Sequence, residues 1–244
     1  MRDINKYTEE YVKSDFEEYL VAYRRKKVLE VLNMVSHRRI LEIGCGMEPL
    51  FKYIPEEQFE EYTVVEPSVS FWRNAMHEAK TSKIICINDF FKANDELSQR
   101  AYDFIICSGL LHEVEEPDKM IRDIFRLCGR ETIVHINVPN ANSIHRLVAK
   151  KMEIIKDVHD LSMRNKNLQQ SRVFDSNSLS DIIKQEGGIV LEEGGYFVKP
   201  FTHSQMHRMI EENIIDLRVL EGLYELGKDM AEFASEIYVN VRKA

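Results

Sequence analysis

Apolar and polar residues along this chain follow two periods, and the switches between them mark out the elements. Within residues 8–34, Phe16, Leu20, Tyr23, Val28, Val31 and Leu32 recur at helical steps among Glu, Lys and Arg, which predicts one or two amphipathic helices. Short β-branched runs at 39–44, 62–66, 83–87, 102–107 and 131–138 predict five strands. Between them, Pro49 opens a short helix over 49–54, a helix covers 71–79, and Asp118 is the expected cap of a helix running to residue 128. Strands alternating with helices predict an α/β fold: a mostly parallel sheet covered on both faces.

After Pro139 the pattern changes. Residues 140–170 read as helical and mixed in charge, and a helix capped by Asp175 or Ser176 covers 174–186. Residues 189–198 and 236–241 read as two further strands, an antiparallel pair closing the sheet. The stretch 201–231 between them is a helical insertion placed like a lid. The expected organisation is therefore N-terminal helices over 1–36 that form part of a cap, a core over 37–200 and 232–244, and the insertion 201–231.

Composition narrows the classes. The 244 residues carry a net charge of −8, which disfavours nucleic acid as a partner, since that needs a basic face. The opening M-R-D-I-N-K-Y-T-E-E lacks the apolar core of a signal peptide, and no run approaches the roughly 18 apolar residues of a membrane span. A cytoplasmic protein without a membrane partner is expected. Cys45, Cys86, Cys107 and Cys128 sit singly in apolar segments and read as free thiols, and no Cys/His cluster suggests a metal.

The chemistry starts at I-L-E-I-G-C-G-M-E-P-L, residues 40–50, where a strand runs into Gly44 and Gly46. Two glycines there allow a ligand to approach the backbone closely. A dinucleotide turn would need a third small residue, but Pro49 stands there, and Glu48 would face a pyrophosphate. An NAD-dependent oxidoreductase is therefore disfavoured. Leu41-Glu42-Ile43-Gly44-Cys45-Gly46 instead resembles the first motif of the class I S-adenosylmethionine-dependent methyltransferases, although that family usually carries another glycine at the place of Glu48. Glu66-Pro67-Ser68, Asn88-Asp89-Phe90-Phe91 and Cys107-Ser108-Gly109-Leu110-Leu111-His112-Glu113-Val114 resemble the family's next three motifs, in order and at suitable spacing.

The resemblance implies a Rossmann-like class I methyltransferase fold: a seven-stranded, mostly parallel sheet with helices on both faces and a helical cap. It implies S-adenosylmethionine as cofactor. Glu42 would tolerate its cationic end, and Gly44 and Gly46 would pass under its methionyl portion. Glu66 would accept from both ribose hydroxyls, as a carboxylate can. Asp89 would accept from the adenine amino group with Phe90 against the ring, and Ser108 and Leu110 would line the site. Arg24 is a further candidate, for the cofactor carboxylate. His112 is the candidate catalytic base, because an imidazole can take a proton from an attacking hydroxyl.

The segment V-P-N-A-N-S-I-H-R-L, residues 138–147, resembles a branch of the family found in polysaccharide and glycoconjugate pathways. Asn140, His145 and Arg146 there, with His203 in the insertion, are the candidate substrate residues; Arg146 would suit a phosphate or carboxylate. The expectation is O-methylation of a small polar metabolite, such as a nucleotide-linked sugar or surface-glycan precursor. A quinone precursor or amine as acceptor, and a non-catalytic binding protein with this fold, are the other readings. The Met- and Leu-rich insertion is a candidate for shielding a pocket or for a homodimer contact.

Overall fold

A computed structural model of the chain describes residues 3–12, 16–35 and 37–244. Its sheet grows outward from β1 (Arg39–Ile43), which pairs in parallel with β2 (Glu61–Val65) on one side and β4 (Tyr102–Ser108) on the other. β3 (Ile84–Ile87) adds beyond β2, and β5 (Cys128–Pro139) beyond β4. β7 (Glu236–Lys243) then runs antiparallel to both β5 and β6 (Gly188–Tyr196). The order is β3-β2-β1-β4-β5-β7-β6. Because β7 opposes both neighbours, β6 points the same way as β1 to β5. The carboxyl ends of six strands and the start of β7 therefore share one edge.

Side chains alternate across each strand, so the sheet is apolar on both faces. Leu41, Ile43, Ile105, Cys107, Val134 and Ile136 meet α5 (Pro117–Leu127) and α8 (Ser176–Gln185) on one face. Ile40, Tyr62, Val64, Phe104 and Ile106 meet Val28, Val31 and Leu32 of α2 (Glu17–Leu32), the 3-10 turn Leu50–Tyr53 and Ala75 of α3 (Val69–Glu78) on the other. Each fully buried Val, Leu, Ile or Phe among them contributes about 1.5–3 kcal/mol. The short α4 (Asp95–Ser98) plugs Leu97 into the first of these faces.

The insertion folds as α9 (His203–Glu211) and α10 (Leu217–Asp229). Phe16, just before α2, and Leu20 within it join Met206, Leu220 and Tyr224 of these helices around Tyr196, Phe197 and Tyr238. α2 thus belongs to two bodies: its second half packs on the sheet, and its first half shares an apolar core with the insertion at the carboxyl edge. α1 (Ile4–Val12) precedes it; residues 13–15, part of the predicted helical stretch, lie outside the described residues.

Three expectations are corrected. Asp118 is not the cap of α5: Pro117 takes the first turn, Glu116 holds the cap position without a side-chain bond, and Asp118 lies inside, where its charge suits the helix dipole. The stretch 140–170 is not one helical run. It forms α6 (Ile144–Lys151) and α7 (Met163–Asn167), separated by a loop that Asp157 and Asp160 tie down through backbone amides. β5 begins at Cys128 with no linker after α5. Asp175 does cap α8, in a reciprocal pair with Ser178. Among the described residues no helix is long and apolar enough to cross a membrane.

Candidate cofactor and acceptor site

The turn after β1 is shaped by what the backbone must do there. Gly44 and Gly46 have φ of +74° and +60°, a region that costs a side-chain-bearing residue roughly 1–2 kcal/mol. A Cβ on Gly44 would stand 3.3 Å from Leu110 Cδ2, whereas one on Gly46 would meet nothing within 4 Å. The second glycine therefore presents bare backbone to open space.

Two buried carboxylates hold this loop. Glu42 accepts from the Leu50 amide through both oxygens, at 3.2 and 3.1 Å, and from the Tyr62 hydroxyl at 2.9 Å. Glu66 accepts from the Ser68 amide at 2.8 Å and from the Gly46 amide at 3.1 Å. Burial pushes both acids up, Glu42 to about 7 and Glu66 to about 6, and their hydrogen bonds only partly oppose it. Glu48, in the place of the third glycine, turns its carboxylate to Arg25 at 2.9 Å and to the Tyr53 hydroxyl at 2.7 Å. The departure from the family pattern is thus tied into the wall of the site.

The end of β4 forms the next wall. Asn137 of β5 accepts from the Gly109 amide at 2.9 Å and exchanges bonds with the Ser108 hydroxyl. His112 follows in the 3-10 turn Leu111–Glu113. It is buried, with Nε2 3.8 Å from Glu113 Oε1, and its carbonyl accepts from the Ser171 amide at 3.0 Å.

These walls enclose one cavity of about 740 Å³. Glu42, Gly44, Gly46, Glu66, Ser108 and Leu110 line one end, and His145, Arg146, Arg164, Lys199 and His203 line the other, with His112 also on the wall. The structure thus brings together all but two of the residues singled out in the sequence. Asp89 and Phe90 are exposed beyond the end of β3, and Asp89 accepts from the Phe90 amide at 2.7 Å. Asn88 links their loop to the site by donating to the Glu66 carbonyl at 2.9 Å.

Some of the gathered residues have structural duties. Asn140 spends both Nδ2 hydrogens on the Glu232 and Ala234 carbonyls, at 2.9 and 2.8 Å, so its side chain clamps the turn after β5 rather than offering a donor to a substrate. Arg146 donates to the Val158 and Asp160 carbonyls. Arg24 lies over Gly109 but pairs with Glu236 at 2.9 Å and Glu17 at 3.5 Å, which engages the guanidinium expected to meet a cofactor carboxylate.

Sequence reasoning missed Glu17, Arg164, Lys199 and Glu236. Glu17 pairs with Arg164 at 2.8 Å and lies 3.6 Å from His203 Nε2. Burial works to raise its pKa, but His203, Arg24 and Arg164 outweigh it and hold the carboxyl down to about 2. Lys199 is 2% exposed, with Nζ 2.8 Å from His203 Nδ1, and burial pushes its ammonium down to about 7. A usable signal existed: Lys199 ends the apolar run Y-F-V-K at the carboxyl edge of a strand, and Glu236 begins one.

The donors fit S-adenosylmethionine. The bare backbone at Gly46 and the Glu66 carboxylate beside it suit its methionyl portion and ribose, and the acidic lining suits its cationic centre. Among the described residues no three His, Cys, Asp or Glu side chains are placed to hold a metal.

Comparison with known proteins agrees with this geometry. A family model described as a methyltransferase domain matches residues 14–193. A search of curated proteins found no match. Among solved structures, an S-adenosylmethionine dependent methyltransferase from Aquifex aeolicus superposes with a TM-score of 0.59 at 13% identity, covering 99% of this chain and 98% of that one. One from Mesorhizobium loti gives 0.58 at 13% identity, covering 89% and 96%. Phosphoethanolamine N-methyltransferase 2 from Haemonchus contortus, solved with phosphomonomethylethanolamine and S-adenosylhomocysteine, gives 0.57 at 14% identity, covering 90% of this chain and 52% of that one. With the glycine turn, the paired carboxylates and the strand order already in place, the chain belongs to the class I S-adenosylmethionine-dependent methyltransferases.

Proposed function

We propose that this methyltransferase O-methylates a small, polar, hydroxyl-bearing metabolite in the cytoplasm, of the kind represented by a nucleotide-linked sugar or a surface-glycan precursor. One observation carries the reading: a single cavity joins the glycine and carboxylate end to an end lined by His145, Arg146, Lys199 and His203. An apolar acceptor such as a quinone precursor would want an aromatic, His-poor lining instead. The neighbours share the fold, and a fold does not choose the acceptor; the polar lining and the resemblance of residues 138–147 to a glycoconjugate-pathway branch support this one.

S-adenosylmethionine supplies an activated methyl group when bound. The chain does the rest by positioning and by excluding water. Glu66 accepts from the ribose hydroxyls with the lone pairs that Gly46 and Ser68 leave open. Asp89 and Phe90 take the adenine at the end of β3. The backbone at Gly44 and Gly46 allows close approach of the methionyl portion, and the shared core of α2, α9 and α10 covers the acceptor. His112 takes the proton from the acceptor hydroxyl as it attacks, and the neighbouring Glu113 carboxylate steadies the imidazolium that results.

The test is calorimetric titration with S-adenosylmethionine, S-adenosylhomocysteine and NAD in parallel. Binding of the first two is expected, weakened about a hundredfold by Glu66→Ala, since two charge-assisted bonds are lost. Binding of NAD alone overturns the reading. With the cofactor established, methyl transfer to sugar nucleotides is assayed against transfer to amines, and exclusive N-methylation removes the O-methylation assignment.

A further inference from the structure

The far end of the cavity gathers basic side chains with few acids beside them. His145 and Arg146 come from α6, Arg164 from α7, Lys199 from the segment after β6, and His203 from the start of α9. The acids beside them are few. Glu17 is shared among Arg164 at 2.8 Å, Arg24 at 3.5 Å and His203 at 3.6 Å, and Glu236 pairs with Arg24 at 2.9 Å. Among the described residues, Lys199, Arg146 and His145 form no ion pair with an acid. Lys199 is almost completely buried, makes no ion pair among the described residues, and points its Nζ at a neutral imidazole nitrogen 2.8 Å away. Arg146 bonds the backbone carbonyls of Val158 and Asp160, and the Asp160 and Asp157 carboxylates act on it from farther off without forming an ion pair among the described residues. His145 Nδ1 is buried without a hydrogen-bond partner among the described residues.

A buried ammonium without a counterion costs several kcal/mol, a penalty on the order of a domain's whole stability margin. Natural sites hold such groups where a ligand supplies the missing charge. We propose that Lys199, with His145, Arg146 and Arg164, forms an oxyanion subsite that holds a phosphate or carboxylate group of the acceptor. Only the word acceptor rests on the methyltransferase reading; the subsite rests on the side chains.

The electrostatics agree. Burial, with Arg164 adding to it, pushes Lys199 to about 7, while Glu17 and Glu236 oppose the shift. Burial, with Lys199, His203 and Arg146, drives His145 down to about 2, and the Lys199 backbone opposes it only weakly. Each base makes protonation of the others harder, and Glu17 and Glu236 offset this at Lys199 only in part. A dianionic phosphate also matches the fork of a guanidinium and the point charge of an ammonium. The whole chain carries −8, so attraction of an anion is a property of this spot and not of the surface at large.

The experiment titrates inorganic phosphate, methyl phosphate and acetate into the full chain, with and without S-adenosylhomocysteine, and reads heat and the ³¹P shift. Saturable binding of at least one oxyanion is expected, weakened about tenfold or more by Lys199→Met, as loss of a charge-assisted contact requires. Phosphate and methyl phosphate ahead of acetate assigns a phosphate group; the reverse assigns a carboxylate. Arg164→Gln, at a partly exposed position, provides a second variant with the same expected direction. No saturable binding, or binding that both variants leave unchanged, overturns the proposal. Lys199-dependent oxyanion binding without S-adenosylhomocysteine binding would sink the methyltransferase function and leave the subsite standing; the opposite result would do the reverse.

Discussion

The two ends of the cavity are strained in opposite senses. At the glycine end, Glu42 and Glu66 are buried carboxylates pushed up to about 7 and about 6. At the far end, Lys199, His203 and His145 are bases pushed down, Lys199 to about 7 and His203 to about 4. Each end is short of the charge that its ligand brings: a sulfonium and an ammonium at the first, an oxyanion at the second. The fold places acids where a cation arrives and bases where an anion arrives, which gives a direction to binding as well as affinity.

The sharpest way to break this comparison is at the wall between the ends. His112 follows β4 in the same stretch as Ser108 and Leu110, and its carbonyl takes the Ser171 amide from the segment after α7. If it is the base and neither end's charge depends on it, His112→Gln lowers methyl transfer by roughly 10²–10⁴-fold. Binding of S-adenosylhomocysteine, and of phosphate at the far end, should change by less than about threefold, no more than one net hydrogen bond's worth. Calorimetry beside a turnover assay separates the two. A rate loss that merely follows weaker cofactor binding would make His112 a packing residue and not the base.

A medium-sized effect lies in the pH dependence of stability, where the ends should differ in sign. Lys199 titrates near 10.5 when unfolded and near 7 when folded. Between those values the unfolded chain binds more protons, so this lysine makes stability rise with pH. Glu42 titrates near 4.5 unfolded and near 7 folded. There the folded chain holds more protons, so its contribution is full below pH 4.5 and lost as pH rises through 7. Lys199→Met should remove the rise above pH 7, and Glu42→Gln should remove the fall below it. Lys199→Met should also stabilise the anion-free protein at pH 6 by about 1–3 kcal/mol, net of the His203 nitrogen left without its donor. Melting curves from pH 4 to 9 read both slopes, and equal slopes in variants and wild type would remove the contrast.

The two ends also differ in how far the sequence reveals them. The glycine end is local: a strand, its turn and the acid ending the next strand recur in order, because each βα unit delivers its site residue at its own carboxyl end. Gly44, Gly46, Glu66, Ser108 and Leu110 could be read for that reason. The far end draws on Glu17, His145, Arg164, Lys199, His203 and Glu236, from six separate segments. His145 and His203 could be singled out in the sequence, but Glu17, Arg164, Lys199 and Glu236 are ordinary charges in their own neighbourhoods, and only the closing of β6 and β7 against α2 brings them together. Asn140 shows the converse error. It looked like a hydroxyl-binding amide, but the turn after β5 needed its donors for the Glu232 and Ala234 carbonyls. Backbone satisfaction of that kind is invisible before the chain is folded.

The smallest expected effect tests where the cofactor end stops. Phe90 is 40% exposed beyond β3 and lines no part of the cavity, although Asn88 ties its loop to the Glu66 carbonyl. An exposed aromatic ring in such a loop adds little to folding, so Phe90→Ala should leave the melting temperature nearly unchanged. If adenine lies against the ring, the same change weakens S-adenosylhomocysteine binding by roughly 1 kcal/mol, about fivefold. Binding of methionine alone should be unaffected, because that portion lies by the glycines. A fivefold loss for the nucleoside and none for methionine extends the acidic end past β2 to β3. An unchanged affinity for both would confine the cofactor end to what Glu66 and the glycine turn enclose, and would leave the adenine held by the backbone beside Asp89.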